Sequence, residues 1–491
     1  MKSARHKLNA LTVMSQTSPG HKAHSQRGGL RRAIACAVLM LPLASTQTWA
    51  QDSVTDGDEL RAPGVTASSI NHGIGITLED FFTSALEYSP RLQAAEERWK
   101  IGGARRRGAN GQLLPQISAS ATVSDNRQDS PGNPVNTYRG ERYSIQLRQV
   151  LFDWRVFSQR GQAYLLENQY EAEYYSELAA LLTVVAERYL DVLQAEDAYA
   201  SSQSEMEAVR TQLNQVERMY GLQMVQITDL YAAQARMAAV EAEQLFLSSE
   251  VTLTREALRA ATGLAVGDLY TLGEQSTVPT IDGTVEDWVV RARQGNHVIR
   301  AREFAVEAAD RRVSEQRGNY MPRVSLIVQQ QRSDLGYDNF ALPNITNTGY
   351  IGVDVTIPIF SGGSSRAAVS EAISLQSIAR SELRQLNLDV SEQTRLSYLR
   401  LKSAERQIAA AEKLLEFREL SSTASRRGFE LGTVTSVEVL DTVRDQFLAE
   451  RDLLRFRYEY LKLSLYLRRD AGTLTADDLV DISSRLQAPA P

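Results

Sequence analysis

The strongest constraint on the fold is an internal duplication, in which one sequence pattern returns after about 208 residues. Residues 77–118 and 284–325 align without a gap. Identities recur there at a constant offset of 207, and they include Thr77, Glu79, Asp80, Pro115 and Ser118, which return as Thr284, Glu286, Asp287, Pro322 and Ser325. A later identity, Gly263 with Gly472, follows at an offset of 209. Each copy must therefore form the same unit, and the two units must pack together in one chain.

Each copy contains two segments in which apolar and polar side chains alternate. In residues 115–124, serines and a threonine separate the apolar residues Ile117, Ala119, Ala121 and Val123. Residues 143–152 and 351–359 alternate in the same way. A period of two is typical of strands with one apolar and one polar face. The sequence therefore predicts four strands of roughly ten residues, paired across Asn-, Asp-, Pro- and Gly-rich loops at 125–142 and 333–349.

Long helices are predicted after the second strand of each copy. No proline interrupts two intervals of the chain, from Pro134 to Pro279 and from Pro358 to Pro489. A helical pattern from Asp153 to about Tyr220 would form a rod of roughly 100 Å. In the second copy a spacing of 3-4-3-4, typical of a coiled coil, links Leu401, Ala404, Ile408, Ala411 and Leu415. Rods of this length suit a tube or a stalk rather than a compact globular domain.

The ends of these helices are also marked in the sequence. Asp153 and Ser361 stand at matching positions after the strands, and both are good N-cap acceptors. A break near Gly221 or Gly432 is predicted to send the chain back along a second helix. That helix is expected to reach the duplicated glycines, Gly263 and Gly472. Each copy therefore contributes one long helical hairpin.

The first 50 residues are predicted to be a signal peptide. They contain seven basic residues and no acidic residue, followed by an apolar run, Ala33 to Leu43, and by Thr48-Trp49-Ala50. This order of basic, apolar and small residues is typical of export, with cleavage after Ala50. The remaining chain, with residues 51–75 as its N-terminal segment, has 47 basic and 60 acidic residues, no cysteine, and only His72 and His297. Disulfides, thiolate nucleophiles and Cys/His zinc sites are excluded, and nucleic-acid binding is disfavoured.

Contact with a membrane is expected to involve the strands. Beyond Ala50, no apolar run approaches the ~20 residues of a transmembrane helix. Strands of about ten alternating residues have the right length to cross a bilayer when tilted. Because lipid offers no partner to an edge strand and four strands do not close a barrel, several chains would have to share one barrel. The alternative is a four-stranded sheet in a soluble helical protein.

The chain resembles the TolC-like outer-membrane channel proteins of Gram-negative bacteria. The resemblance extends from about Ile76 to Asp481. It rests on the strands that begin with proline and on the segments 150-VLFDW-154, 358-PIFSGG-363, 226-QITDL-230 and 432-GTVTSVEVLD-441. It implies an α+β membrane protein with long antiparallel helices and four transmembrane strands per chain. Three copies would form a 12-stranded barrel in the outer membrane above a 12-helix periplasmic tunnel.

The resemblance also implies how the chain is divided and what it contacts. Repeat one would span 76–263 and repeat two 284–472, and the segments 264–283 and 473–491 would form a belt around the tunnel. Such channels are not enzymes and hold no cofactor or metal. Their partners are a periplasmic adaptor, an inner-membrane ABC or RND transporter, and outer-membrane lipid.

Glu438 and Asp441 are the main candidate functional residues. Their spacing of three places both carboxylates on one face of a helix. From the residues alone, the pair suits an acid/base couple, half of a metal site, or a charged lining. The resemblance implies two acidic rings at the closed periplasmic end of the tunnel, which would attract cations. The alternative is two solvated carboxylates at a helix start, where acidic residues are common.

A latch between the two helical turns is less well matched. The resemblance makes Thr228 and Asp229 the acceptors of bonds from a tyrosine and an arginine, but those positions hold Phe429 and Val434. Three arginines are open as substitute donors, namely Arg426, Arg427 and Arg444. Thr228 and Asp229 are equally interpreted as plain helix caps. Similarly, the run 105–107 of three arginines suits either lipid headgroups or a solvated helix face.

Three functions remain open after these comparisons of pattern. We favour type I protein secretion over drug efflux, because the predicted mature chain begins at Gln51 without the lipid-anchoring cysteine of many efflux channels. Drug efflux is the second hypothesis. The third, from a different class, is a periplasmic coiled-coil scaffold or adaptor without a pore.

Overall fold

The computed structural model of the protein describes residues 77–129, 131–132, 135–272, 281–337, 345–484 and 486–487. The predicted signal peptide and the segment 51–75 lie outside these residues. The first copy contains α1 Leu78–Tyr88, α2 Pro90–Gly111, β1 Gln116–Gln128, β2 Asn136–Phe152, α3 Trp154–Gly221 and α4 Ile227–Thr262. A two-residue strand, β3 Thr271–Leu272, follows.

The second copy has the same order of elements. It contains α5 Val285–Gly295, α6 His297–Arg317, a single 3₁₀ turn, β4 Arg323–Tyr337, β5 Ile345–Thr356, α7 Ser364–Glu430 and α8 Ser436–Asp470. The chain then forms α9 Ala476–Ser483 and β6 Leu486–Gln487. The predicted four strands and long helices are confirmed. In the described part of the chain, no helix is both long and apolar enough to cross a membrane.

Three of the residues that recur at an offset of 207, Thr77, Glu79 and Asp80, start the first helix of their copy. Thr77 accepts a hydrogen bond from the Asp80 backbone at 3.3 Å, and the Asp80 carboxylate accepts one from the Thr77 backbone at 3.2 Å. Thr284 and Asp287 make the same pair of bonds, at 3.3 and 2.9 Å. This reciprocal arrangement is a capping box, which satisfies two backbone N–H groups at a helix start. Capping therefore explains why Thr77 and Asp80 return as Thr284 and Asp287.

The two longest helices, α3 and α7, contain 68 and 67 residues. Asp153 is the N-cap of α3, and its carboxylate accepts a 3.0 Å bond from the Arg155 backbone. The expectation that Ser361 caps α7 is wrong, because the N-cap is Gly363 and no side chain caps it. Gly362 and Gly363 have φ values of +61° and +86°, a conformation that favours glycine. This turn moves the helix start beyond Ser361, whose hydroxyl contacts Ser365 at 2.9 Å.

The four long strands form one antiparallel sheet in the order β1–β2–β4–β5. They contain 13, 17, 15 and 12 residues, so they are longer than predicted. We predicted loops at residues 125–142 and 333–349, but much of both segments is strand. Backbone pairing continues past the apolar region into polar pairs such as Asp125 with Arg139. In contrast, β5 ends at Thr356, so Ile357 and Ile359 lie beyond it.

The two faces of the sheet differ in chemistry. Paired residues in an antiparallel sheet point to the same side, so one row across the strands contains Ile117, Leu147, Val328 and Ile351. The opposite face includes the polar row Ser120, Ser144, Gln331 and Thr348. The apolar face is exposed in the single chain, with exposed fractions of 56 to 77 % for Ile117, Ile145, Ile351, Val353 and Val355.

The helices form a layer that also has two edges. Away from the sheet, α3 packs against α4 and α8, and α8 packs against α7. Next to the sheet, α3 packs against α2 and α6, and α6 packs against α7. The layer therefore ends at α7 on one side and at α2 and α4 on the other.

The segments predicted to form a belt contact each other midway along the helices. Strand β3, from the linker, pairs with β6, near the C-terminus. Leu269, Leu474 and Ile482 are buried in the same apolar cluster as Phe81 and Tyr189. Residues 273–280, 485 and 488–491 of the two segments lie outside the described residues.

Candidate functional site

Two tight turns lie at the ends of the helical hairpins farthest from the sheet. After α7, Gly432 donates to the Phe429 carbonyl at 3.0 Å and Thr433 donates to the Gly428 carbonyl at 2.9 Å. After α3, Gln223 and Met224 donate in the same pattern, at 2.8 and 2.9 Å. This pair of backbone hydrogen bonds is a Schellman motif, in which one residue adopts the left-handed helical conformation. Gly432 has φ +76°, and Gln223 has φ +59°.

An apolar cluster fixes the two turns against each other. Val209 and Val216 of α3, Ala233 and Val240 of α4, and three residues of α8 form this cluster with Phe429. The three α8 residues are Val439, Leu440 and Val443. Val434 packs beside it, and a Cβ added to Gly428 would lie 2.5 Å from its side chain. Phe429 and Val434, at the positions of the expected latch donors, therefore stabilise the turn by packing.

Glu438 and Asp441 point away from this cluster. Both are exposed, whereas Val439, Leu440 and Val443 are buried. Thr435 caps α8 by accepting a 3.3 Å bond from the Glu438 backbone, so Glu438 lies in the first turn of the helix. At 1.5 Å per residue the two carboxylates are offset by roughly 4–5 Å along the helix. Both acidic side chains are therefore exposed on the surface of the single chain.

Asp441 is paired, and sequence reasoning missed its partner. Arg444 Nη1 lies 3.4 Å from Asp441 Oδ1, and Arg444 Nη2 lies 3.0 Å from Asp445 Oδ1. The other oxygen of Asp445 lies 3.0 Å from Nη1 of Arg418 on α7. The spacing of three between Asp441 and Arg444 was a signal for this pair. The candidate site is therefore a chain of alternating charges and not two isolated carboxylates.

Thr228 and Asp229 lie at the start of α4. The Asp229 carboxylate accepts a 3.3 Å bond from the backbone of Gln226, the N-cap. Thr228 donates to the Gln226 side chain at 3.4 Å. Of the arginines considered as substitute donors, Arg427 pairs with Glu430 at 3.0 Å, and Arg444 is occupied as described above. In the single chain, Thr228 and Asp229 contact their own helix cap.

Comparison with known proteins identifies the type of molecule. The profile of a family described as outer membrane efflux protein matches residues 82–264 and 288–473, which is most of the chain. The chain belongs to the outer membrane efflux protein family. The family is one of transport proteins and not of enzymes, and it agrees with the resemblance and the outer-membrane location inferred from the sequence.

Individual members of the family show how similar the chain is to them. The outer membrane protein TolC of Vibrio cholerae serotype O1 is 25 % identical over 422 residues, which cover 84 % of this chain and 94 % of TolC. The alkaline protease secretion protein AprF of Pseudomonas aeruginosa is 25 % identical over 418 residues, which cover 82 % of this chain and 85 % of AprF. The solved structure of CusC superposes with a TM-score of 0.71 at 17 % identity, covering 81 % of this chain and 92 % of CusC. Over most of its length, the chain therefore has the same fold as CusC.

A buried ion cluster joins three helices of this family member. The Glu205 carboxylate on α3 binds Arg236 of α4 through one oxygen and Arg451 of α8 through the other, the latter at 2.9 Å. The exposed fractions of the three side chains are 3, 22 and 14 %. Sequence reasoning missed the cluster because its members are 31 and 246 positions apart, beyond any helical period.

Two further polar contacts join α3 to α8. The Tyr458 hydroxyl donates to the Asp197 carboxylate at 2.5 Å, and Lys462 contacts Asp191 at 2.5 Å. Burial raises the pKa of Asp197, although the bond from Tyr458 opposes this shift. Within the described residues, no group of His, Cys, Asp or Glu suits a metal ion. These carboxylates instead bind helices together.

The arginine run 105–107 lies on α2, next to α3. Arg105 donates to the Tyr170 hydroxyl at 3.2 Å, and Arg106 pairs with Glu167. Two of the three arginines therefore hold α2 against α3, which favours the interpretation as a helix face over a binding site for headgroups.

Proposed function

We propose that this family member is a trimeric export channel, with a 12-stranded barrel in the outer membrane and a 12-helix tunnel in the periplasm. It would act passively, docked to a periplasmic adaptor and an inner-membrane transporter. The observation that carries the proposal is the open sheet, which has one apolar face, one polar face and two unpaired edges, β1 and β5.

Closure of the sheet explains the number of copies. An edge strand in lipid leaves backbone groups without partners, so β1 of one copy would pair with β5 of the next. Two copies would supply eight strands, a barrel whose interior is just filled by side chains. Three copies supply twelve strands and leave space for a lumen. The polar row with Ser120 and Thr348 would then face water, and the row with Ile117 and Ile351 would face lipid.

The edges of the helical layer support the same closure. On α4, the exposed fractions of Tyr231, Leu245 and Phe246 are 60 to 70 %. On α7, at the opposite edge, those of Leu399, Phe417 and Leu420 are 59 to 64 %. Large apolar side chains exposed along an edge mark an interface with another chain. A head-to-tail contact of α4 with α7 of the next copy would bury both sets and close a ring.

The turns farthest from the sheet would form the periplasmic end of the tunnel. We place Glu438 and Asp441 there as acidic rings that line a constriction. Thr228 and Asp229 would belong to the same end as helix-capping residues of the gate. The paired segments at 264–283 and 473–491 would form the belt, and residues 1–50 would be the export signal, removed after Ala50.

Protein secretion is the preferred substrate class. AprF, an alkaline protease secretion protein, aligns over 82 % of this chain. The family description names efflux, so drug efflux is the second candidate. The two are separated in a host that lacks its own channel, by expressing this chain with a type I transporter and adaptor or with an efflux pump. Protein in the medium supports secretion, whereas restored drug resistance alone supports efflux.

The channel itself is tested with two lysine substitutions on opposite faces of β5. Ile351→Lys places a charge on the apolar face, at a cost of roughly 2–4 kcal/mol near the bilayer midplane, and is expected to reduce folded trimer in the outer membrane. Thr348→Lys, on the polar face, is the matched control and is expected to leave trimer intact while lowering cation conductance. The amount of trimer is measured by crosslinking, and the conductance is measured in planar bilayers. Equal effects of both substitutions, or a wild-type protein without conductance, would support the pore-less scaffold.

A further inference from the structure

The first turns of α8 contain three carboxylates, Glu438, Asp441 and Asp445, and one arginine, Arg444. Glu438 has no ion-pair partner among the residues that the structure describes. Asp441 and Asp445 both contact Arg444, at 3.4 and 3.0 Å. The two residues of the candidate constriction are therefore electrostatically different.

The guanidinium of Arg444 is held in place from its other side. Its Nε and Nη2 both donate to Asp445 Oδ1, at 3.2 and 3.0 Å. Asp445 is in turn held by Arg418 of α7, at 3.0 Å. Because arginine presents its donors in a rigid plane, this anchoring directs the remaining Nη1 toward Asp441. The position of the charge is fixed by two helices and not by one flexible side chain.

We propose that Arg444 is a specificity-determining residue, which neutralises Asp441 and leaves Glu438 to set the ion selectivity of the constriction. This inference rests on the proposed channel function. By simple charge counting, three copies of Glu438, Asp441 and Asp445 would place a charge of about −9 around the axis. Arg418 compensates Asp445 and Arg444 compensates Asp441, so three copies of the two arginines reduce the charge to about −3. The constriction would favour small cations, yet bind multivalent cations more weakly than a purely acidic double ring.

The test is a cycle of substitutions in the full-length trimer in planar bilayers. The ratio of cation to anion permeability is obtained from the reversal potential in a KCl gradient, and hexaamminecobalt(III) is the multivalent probe. In the wild-type background, Glu438→Gln is expected to lower the ratio at least twofold more than Asp441→Asn. Arg444→Gln is expected to raise the ratio and strengthen the block. In the Arg444→Gln background, Asp441→Asn should then act as strongly as Glu438→Gln.

A conservative variant separates charge from packing. Arg444→Lys keeps the positive charge but not the planar contacts with Asp445, and it is expected to leave the ratio closer to that of the wild type than Arg444→Gln does. If Glu438→Gln lowers the ratio but Arg444→Gln leaves it unchanged, the ring exists and the neutralising role of Arg444 is wrong. Equal effects of Glu438→Gln and Asp441→Asn in the wild-type background overturn the inference in the same way. If no acidic substitution changes selectivity in a conducting trimer, the constriction proposed above is wrong, and the role of Arg444 with it.

Discussion

Removal of the Glu205 charge provides a direct test of the buried cluster between α3, α4 and α8. Glu205→Gln keeps the shape of the side chain but leaves two arginines, only 14 and 22 % exposed, without a counter-ion. Breaking a buried pair in this way typically costs about 3–5 kcal/mol. For the roughly 400 residues that the structure describes, with an unfolding entropy near 2.1 cal/mol/K each, this cost corresponds to a midpoint about 4–6 °C lower.

The measurement is thermal unfolding of the purified protein in detergent, followed by far-UV circular dichroism at one fixed scan rate. Glu97→Gln is the matched control, because Glu97 and Lys100 form a pair at 2.7 Å whose side chains are 65 and 59 % exposed. A surface pair contributes only about 0–1 kcal/mol, so this variant should differ little from the wild type.

A third variant examines why the cluster matters. Replacing Glu205, Arg236 and Arg451 together by Leu, Met and Met removes all three charges, and it is expected to recover most of the lost stability. The reasoning is refuted if Glu205→Gln lowers the midpoint no more than Glu97→Gln. It is also refuted if the triple variant is less stable than Glu205→Gln, because the stabilisation would then come from something other than charge compensation.

Two further predictions concern stability. Burial raises the pKa of Asp197 in the folded state. The stabilisation that this carboxyl contributes is therefore present below its pKa in the unfolded chain, about 3.9, and is lost as the pH rises through its pKa in the folded protein. Asp197→Asn should therefore raise the midpoint at pH 7, with a difference that disappears near pH 4; a difference independent of pH would contradict this. At the turns, Gly432→Ala should lower the free energy of unfolding by about 1 kcal/mol, and Gln223→Gly should raise it by up to about 1 kcal/mol, because both positions have positive φ. The denaturant midpoints of the two variants should therefore move in opposite directions.

The long helices could be predicted from sequence because their signals are local. The absence of proline and the spacing that links Leu401 to Leu415 mark a helix regardless of its partners. The apolar centres of β1, β2 and β5 were visible for the same reason. The ends of the strands were not, since pairs such as Asp125 with Arg139 extend the ladder through backbone bonds that leave no apolar period.

The candidate site was predicted only in part. The exposure of Glu438 and Asp441 on one helix face follows from their spacing and from the buried Val439 and Val443. The start of α7 was mispredicted because two glycines in a left-handed turn shifted it past Ser361. The cluster around Glu205 depends on three helices brought together by tertiary folding, and no local pattern in one sequence indicates such contacts.

The two hairpin turns occupy equivalent positions but have diverged in sequence. At an offset of 209, Glu438 corresponds to Asp229, Asp441 to Ala232, and Gly432 to Gln223. A ring of six identical single repeats would carry the same chemistry at all six turns. Fusion of two repeats into one chain breaks this equivalence, so in the proposed trimer neighbouring turns could differ in sequence while the ring would keep nearly sixfold geometry. In the proposed trimer, a substitution at Asp441 would therefore alter every second turn around the ring, whereas in a ring of six identical repeats it would alter all six.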